Sequence, residues 1–248
     1  MAKSWNNKNE MAPFYTAEGK NQKMMEERSF FMALAEASLS GDYKKVQSMS
    51  DDYSHRHSIS VYETITQFKD GRGRTILHFS CQSIVKDDGL KQGEDQSADE
   101  DDIVYQLLRS EWSTRHKIVQ SDTGKDTKDS LLRCKDSDGI SPLMVACQLA
   151  EKNLQLSYRR VLTLLQAGGN KLALARSKDG ATCLHYAAGA GADEAMISLL
   201  YDAAKAAIAV NSKGGGTPLH WCVANVTPIV SFYQLNFPFL NCLFLLYP

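Results

Sequence analysis

A dominant charge is the first thing this sequence lacks: 28 Lys and Arg against 29 Asp and Glu leave a formal net charge of -1 over 248 residues. No global field then draws the protein to nucleic acid or to an anionic membrane, so a specific partner is expected instead of a polyanion. Paired cysteines are lacking too. The six (Cys81, Cys134, Cys147, Cys183, Cys222 and Cys242) are scattered without a C-x-x-C motif, and the first thirty residues are polar and charged with no apolar signal segment. Both features point to a reducing, intracellular compartment, the cytoplasm first and the nucleus second. Catalytic signatures are absent as well. There is no G-x-S-x-G elbow, and Lys213-Gly214-Gly215-Gly216-Thr217 has the glycines of a phosphate loop without its Gly-Lys-Ser/Thr order, so it reads as a turn. Asn225-Val226-Thr227 has the form of a glycosylation acceptor, which carries no weight in a chain without a secretory route.

What the sequence does contain is one short pattern four times: Thr75-Ile76-Leu77-His78, Ser141-Pro142-Leu143-Met144, Thr182-Cys183-Leu184-His185 and Thr217-Pro218-Leu219-His220. A glycine stands two residues before each, at Gly73, Gly139, Gly180 and Gly215, and the starts are 66, 41 and 35 residues apart. The chemistry describes a turn followed by a helix. Glycine takes the positive φ of a tight turn, Ser or Thr caps the free N–H groups of a new helix, and Pro suits its first position. Leu and the small residues after it then form a buried stripe. A second apolar run with helical spacing follows each opener except the last: Ile103 to Leu108, Val161 to Leu165 and Met196 to Leu200.

This pattern resembles the ankyrin-repeat family, whose unit of about 33 residues is a β-turn and two antiparallel helices with T-P-L-H-x-A opening the first. Thr217-Pro218-Leu219-His220 matches that opener letter for letter. The resemblance implies an all-α solenoid of four to five repeats, spanning residues 28–225 as 28–66, 68–133, 134–175, 176–210 and a partial 211–225. Phe30 to Ser38 and Tyr43 to Met49, separated by Gly41, read as a degenerate capping unit with no opener before it. Residues 1–27, rich in Asn, Lys and Glu with no apolar period, are expected to be disordered.

Two units carry insertions. Residues 86–102 hold eight acidic side chains, from Asp87 to Asp102, against Lys86 and Lys91, and read as a solvated acidic loop. Residues 113–130 are polar and loop-like, and a degenerate repeat could lie within 113–134. The 41-residue spacing implies about eight extra residues, placed as a loop near Glu151 to Ser157. After Asn225 the chain turns into an uncharged run, 226–248. It is long enough to cross a bilayer, yet Gln234, Asn236, Pro238 and Asn241 interrupt it and no basic residue flanks it. Two readings stay open, a repeat array cut short by a gene-model error and a C-terminal membrane anchor.

Candidate chemical sites reduce to repeat structure. His78, His185 and His220 lie near Cys81, Cys183 and Cys222, which invites a zinc reading. Yet each His fills the same slot of its unit, where the resemblance implies a hydrogen bond to backbone and to the opener's Thr. Asp136-Ser137-Asp138-Gly139 has the outline of a calcium loop without the Glu at its twelfth position. The expectation is therefore no catalytic residues, no metal and no cofactor.

Protein binding on a concave repeat surface is what remains. Candidate contacts in the turns are Lys69, Arg72, Arg74, Lys135, Ser137, Asp138, Ile140, Arg176, Lys178, Asp179, Asn211 and Lys213. At the ends of first helices they are Gln82, Ser83, Gln148, Leu149, Gly189 and Ala190. The resulting reading is a non-catalytic scaffold or adaptor for an unidentified protein. The alternatives are a tail-anchored scaffold at a membrane and the targeting part of a larger enzyme or cochaperone. The register makes a test: Leu184→Ala should cost about 2–5 kcal/mol as a core cavity while Lys178→Ala stays within about 0.5 kcal/mol. Urea unfolding measures both, and equal small effects would show the register to be wrong.

Overall fold

The computed structural model describes residues 17–84, 102–109 and 131–225, and among these there are helices and turns but no strand. The helices are α1 (Ala17–Leu39), α2 (Tyr43–His57), α3 (Val61–Gln67), α4 (Ile76–Gln82), α5 (103–109), α6 (Pro142–Gln148), α7 (Leu154–Gly168), α8 (Cys183–Gly189), α9 (Glu194–Ala203) and α10 (Pro218–Asn225). The tail 226–248, the polar stretch 113–130 and all but Asp102 of the acidic insertion lie outside the described residues.

Four short helices, α4, α6, α8 and α10, begin at the four openers. Together with α1 they form one layer, each packed on the next in the order α1, α4, α6, α8, α10. Their tight approach rests on small or slim buried side chains: Cys81, Ala146, Cys147, Ala187 and Ala188 are each at most 3% exposed. The longer α7 and α9 pack behind α6 and α8 and against one another. Leu77, Leu143 and Leu184 from the openers meet Val161, Leu164, Met196 and Leu200 in a single continuous core. Each opener helix is too short to stand alone, so packing against its neighbours holds it.

Three local expectations need correction. Helix α1 starts at Ala17, so residues 17–27 are helical where disorder was expected. These residues lack an apolar period because their side chains from Gln22 to Arg28 are mostly exposed. Good helix formers and the Lys23–Glu27 pair at 3.8 Å extend the buried half of α1 outward. Helix α3 was not anticipated. Its start is a reciprocal capping box, with Glu63 N donating to Ser60 Oγ at 3.1 Å and Ser60 N donating to Glu63 Oε2 at 2.9 Å. Third, the extra residues near Glu151 to Ser157 are not a loop. A short 3₁₀ turn (Leu149–Glu151) leads to the cap Asn153, and α7 starts at Leu154. The apolar face of α7 extends back through Ser157, whose hydroxyl donates to Ala146 O at 2.6 Å.

One buried cation joins three elements. Arg160 on α7 is completely buried, and all five of its N–H donors are engaged. Nε and Nη2 donate to the Asp102 carboxylate at 3.1 and 2.7 Å, and Nη2 also donates to Ser83 Oγ at 2.9 Å. Nη1 donates to the carbonyls of Ser83 at 2.7 Å and Cys81 at 3.3 Å, satisfying backbone left open at the end of α4. Asp102 therefore does not belong to the solvated insertion: its side chain is 13% exposed and supplies the counter-charge that a buried guanidinium requires. Ser83, a candidate contact, is 1% exposed and committed to the same network. Both ends of the insertion are thus fastened to one side chain. Arg160→Ala, which strands a carboxylate and two carbonyls, should destabilise the protein by about 3–5 kcal/mol. Arg160→Lys should recover little of this, since an ammonium cannot reproduce the planar fork. Urea unfolding checks both, and a near-neutral Arg160→Ala would refute the network's importance.

Candidate protein-interaction surface

The glycines before the openers build four turns of one design: Asp70–Arg74, Asp136–Ile140, Ser177–Ala181 and Ser212–Gly216. In each, the first N–H donates to the fifth carbonyl at 2.8–3.0 Å and the fourth N–H donates to the first carbonyl at 2.9–3.0 Å. The fourth place is always glycine, with φ between +75° and +77°, a region that side chains disfavour. In the first three turns the first side chain braces the loop, Ser177 Oγ accepting from Ala181 N at 3.2 Å in the third. Asp136 Oδ1 accepts from the N–H groups of Asp138 and Ile140, which explains the calcium-like spelling as an Asx turn. Asp70 Oδ1 does the same for Arg72 and Arg74.

Neighbouring turns are bonded to each other through the backbone. Ser137 N donates to Arg72 O at 2.5 Å, Lys178 N to Asp138 O at 2.8 Å and Lys213 N to Asp179 O at 2.6 Å. The histidines add a second link. Thr75 N–H can only donate, so His78 Nδ1 accepts it at 3.1 Å, the ring proton sits on Nε2, and Nε2 donates to Ile140 O at 3.1 Å. His185 repeats this with Thr182 N at 3.1 Å and Gly216 O at 3.2 Å. Met144 occupies the corresponding place in the Ser141 unit, buried and without a polar atom for the relay, so the second and third turns lack this link. There Lys135 Nζ crosses instead to Arg176 O at 2.7 Å.

This frame leaves Lys69, Arg72, Lys135, Ser137, Asp138, Arg176, Lys178, Asp179, Asn211 and Lys213 exposed along one row. Arg74 and Ile140 are half-buried: Arg74 pairs with Asp70 at 2.7 Å and lies over the Phe79 ring, and Ile140 packs against the core. The opener side chains Thr75, Leu77, His78, Ser141, Pro142, Leu143, Thr182, Leu184 and His185 are buried as repeat structure. Of the last unit, Pro218 is buried, Thr217 and Leu219 are half-buried and His220 is exposed.

At the other ends of the opener helices, about 10 Å away at 1.5 Å per residue, the layer is hollowed into a groove of about 580 Å³. Gln82, Gln148, Gly189 and Ala190 line it together, from three successive units, with Tyr186 and Trp221 as its aromatic wall. Trp221 stands edge-on to Tyr186 and to His185, with centroids 5.5 and 5.4 Å apart. Leu149 also lines the groove, although only 5% of it is exposed. Sequence reasoning missed Trp221, Tyr186 and Leu39 in this wall, because Leu39 comes from the end of α1 and reaches the site only through layer packing.

Burial governs the ionisable groups near the core. It pushes the Cys81 thiol up to about 12 and raises Cys147 as well, with Cys183 beside it adding to the effect, so both remain protonated thiols at neutral pH. Among the described residues no three His, Cys, Asp or Glu side chains converge as a metal site would require. No protein-family model matches the chain, and no curated protein matches it closely enough to count as a relative.

The two linking histidines make stability depend on pH. Burial holds His78 and His185 below the ordinary 6.5, while their carbonyl bonds partly oppose the shift. The unfolded chain then takes up protons first as pH falls. This contribution is complete above about pH 6.5 and is lost progressively below it. Tm should fall between about pH 7 and pH 5, and less steeply in the double variant His78→Gln, His185→Gln. Identical slopes in thermal melts would show that the rings do not titrate differently on folding.

Proposed function

We propose that this chain is an ankyrin-repeat scaffold or adaptor that holds another protein and performs no catalysis of its own. The observation that carries the reading is the groove, in which equivalent positions of successive units, Gln82, Gln148 and Gly189 with Ala190, are brought side by side. The solenoid does not need these side chains at that place. The exposed amides of Gln82 and Gln148 present donors and acceptors for an extended segment. Trp221, half-buried and backed by the 9% exposed Tyr186, offers the amphipathic surface that interface hot spots favour. The turn row, with exposed cations at Lys69, Arg72, Arg176, Lys178 and Lys213, adds a polar margin about one short helix away.

Catalysis is not part of the proposal: among the described residues that line the groove there is no Ser, Thr or Cys and no His to activate one. A peptide-display selection on the whole chain tests the reading without a known partner. Selected peptides should bind the parent and lose about tenfold or more in affinity to Gln82→Arg and Gln148→Arg. They should ignore Gln166→Ala on the exposed side of α7. Peptides that bind all of these variants equally, or a failure to select any, would dispose of the groove as the binding surface.

A further inference from the structure

Positive charge is unevenly spread along this chain. Residues 131–178 hold eight Lys and Arg against three Asp and Glu, a surplus of five in a chain whose total is -1. Three of these cations, Arg133, Lys135 and Lys171, line a cavity of about 260 Å³ formed with the 3₁₀ turns Leu131–Arg133 and Asn170–Leu172. Its other walls are Leu132, Leu172, Ala175 and Ser141, with no acidic residue among them. Lys135 is held there by its bond to Arg176 O at 2.7 Å, which spends one of the ammonium's three N–H donors. The neighbouring acid, Asp136, has Oδ1 committed to two N–H groups of its own turn. Ser141 adds a hydroxyl that its unit leaves unspent. In the Thr75 and Thr182 units the hydroxyl lies 2.9 and 3.0 Å from a histidine Nδ1. Met144 offers no ring nitrogen at that place. Ser141, 3% exposed, accepts the Met144 N–H at 3.4 Å, and among the described residues its own O–H has no acceptor.

We infer that this cavity binds a phosphorylated tyrosine side chain of a partner protein. Charge selects the anion: a phosphate monoester carries about -1.5 to -2 at pH 7 and suits three cations better than a single carboxylate does. The Arg133 fork can hold two of its oxygens at once, and the Ser141 hydroxyl supplies a further donor. Size selects the rest of the group. The cavity is smaller than the roughly 300–1,000 Å³ of sites that enclose a whole ligand, yet larger than a bare phosphate needs. Leu132 and Leu172, 3% and 5% exposed, make an apolar floor for an aromatic ring and lower the dielectric around the charges. The site is separate from the groove: Ser141 caps the start of α6, whereas Gln148 is its last residue. Only the source of the phosphate, a protein, rests on the reading of this chain as a protein-binding module.

Phenyl phosphate is the first probe, titrated into the isotope-labelled full chain and followed through the backbone amides by NMR. Saturable shifts should appear at Arg133, Lys135 and Lys171 and not at Gln148, and phenol should cause none. Arg133→Gln and Lys171→Gln, both at exposed positions, should each weaken binding about tenfold, the worth of one charge-assisted hydrogen bond, and leave Tm unchanged. Lys152→Gln at the groove should change nothing. A short peptide with a central phosphotyrosine should bind at least as tightly as phenyl phosphate, and its unphosphorylated form should not bind. Absence of saturable shifts at the three cations overturns the inference, as does binding that both glutamine variants leave intact. Inorganic phosphate that binds as tightly as phenyl phosphate would mark a site for the free anion and refute the aromatic side chain. Rejection of the phosphopeptide, or sedimentation with phosphatidylcholine vesicles containing a phosphatidylinositol phosphate that Lys171→Gln abolishes, would refute the protein source. None of these outcomes touches the groove, whose selected peptides respond to Gln82→Arg and Gln148→Arg.

Discussion

A left-handed residue at the fourth place of each turn is the constraint on which the rest of the structure depends. It lets the chain reverse tightly enough for one turn's N–H to reach the previous turn's carbonyl. Space matters as much as φ. A Cβ added to Gly139 would meet Lys178 N at 2.6 Å, in the middle of the contact between the second and third turns, whereas at Gly180 the nearest atom is 3.5 Å away. Glycine at 139 is therefore required twice over, by backbone conformation and by close approach. Once neighbouring turns are in register, the helices that start from them are in register too. Leu77, Leu143 and Leu184 then enter one core instead of three.

The turn row is not uniform along its length, and the differences have physical causes. His78 and His185 close a polar relay between units, and each holds a buried imidazole as a neutral tautomer with both nitrogens satisfied. Met144 replaces such a ring with packing, which needs no partner but gives no directional link. The interface between the second and third turns relies instead on a backbone bond and on Lys135 reaching the Arg176 carbonyl. Nearby, Arg160 uses a buried charge to fasten both feet of an insertion, at Ser83 and Asp102. A hydrophobic side chain at 160 would fill the volume but leave the end of α4 and the Asp102 carboxylate unsatisfied.

Function follows from what this framework leaves unused. Side chains that point into the layers are committed to packing, and the turn backbones are committed to one another. The tips of the turns and the far ends of the opener helices are where side chains stay exposed or half-exposed, and there the cations, the two glutamines and Trp221 are found. Neutral thiols and neutral histidines in the interior supply rigidity and no nucleophile. The extended surface proposed for recognition is therefore the one along the groove.

Local chemistry was legible in the sequence wherever it was periodic. The four Gly-x-Thr/Ser openers placed α4, α6, α8 and α10, and the apolar runs after three of them placed α5, α7 and α9. Each signal is a short-range requirement, a positive φ, a cap or a helical stripe, which the residues express by themselves. The exposed half of α1 was not legible because a solvated helix shows no apolar period, nor was α3, whose capping box comes without a long stripe behind it. Arg160 looked like any helical arginine, since its partners Cys81, Ser83 and Asp102 are 79, 77 and 58 residues away in the chain. The groove belongs to the same class: Leu39, Gln82, Gln148 and Trp221 share a wall only after the helices stack. Sequence alone determined the repeating turn and helix, because backbone conformation and capping act within a few residues. Tertiary structure alone decided which charge is buried and which side chains converge, because both depend on the distances between layers.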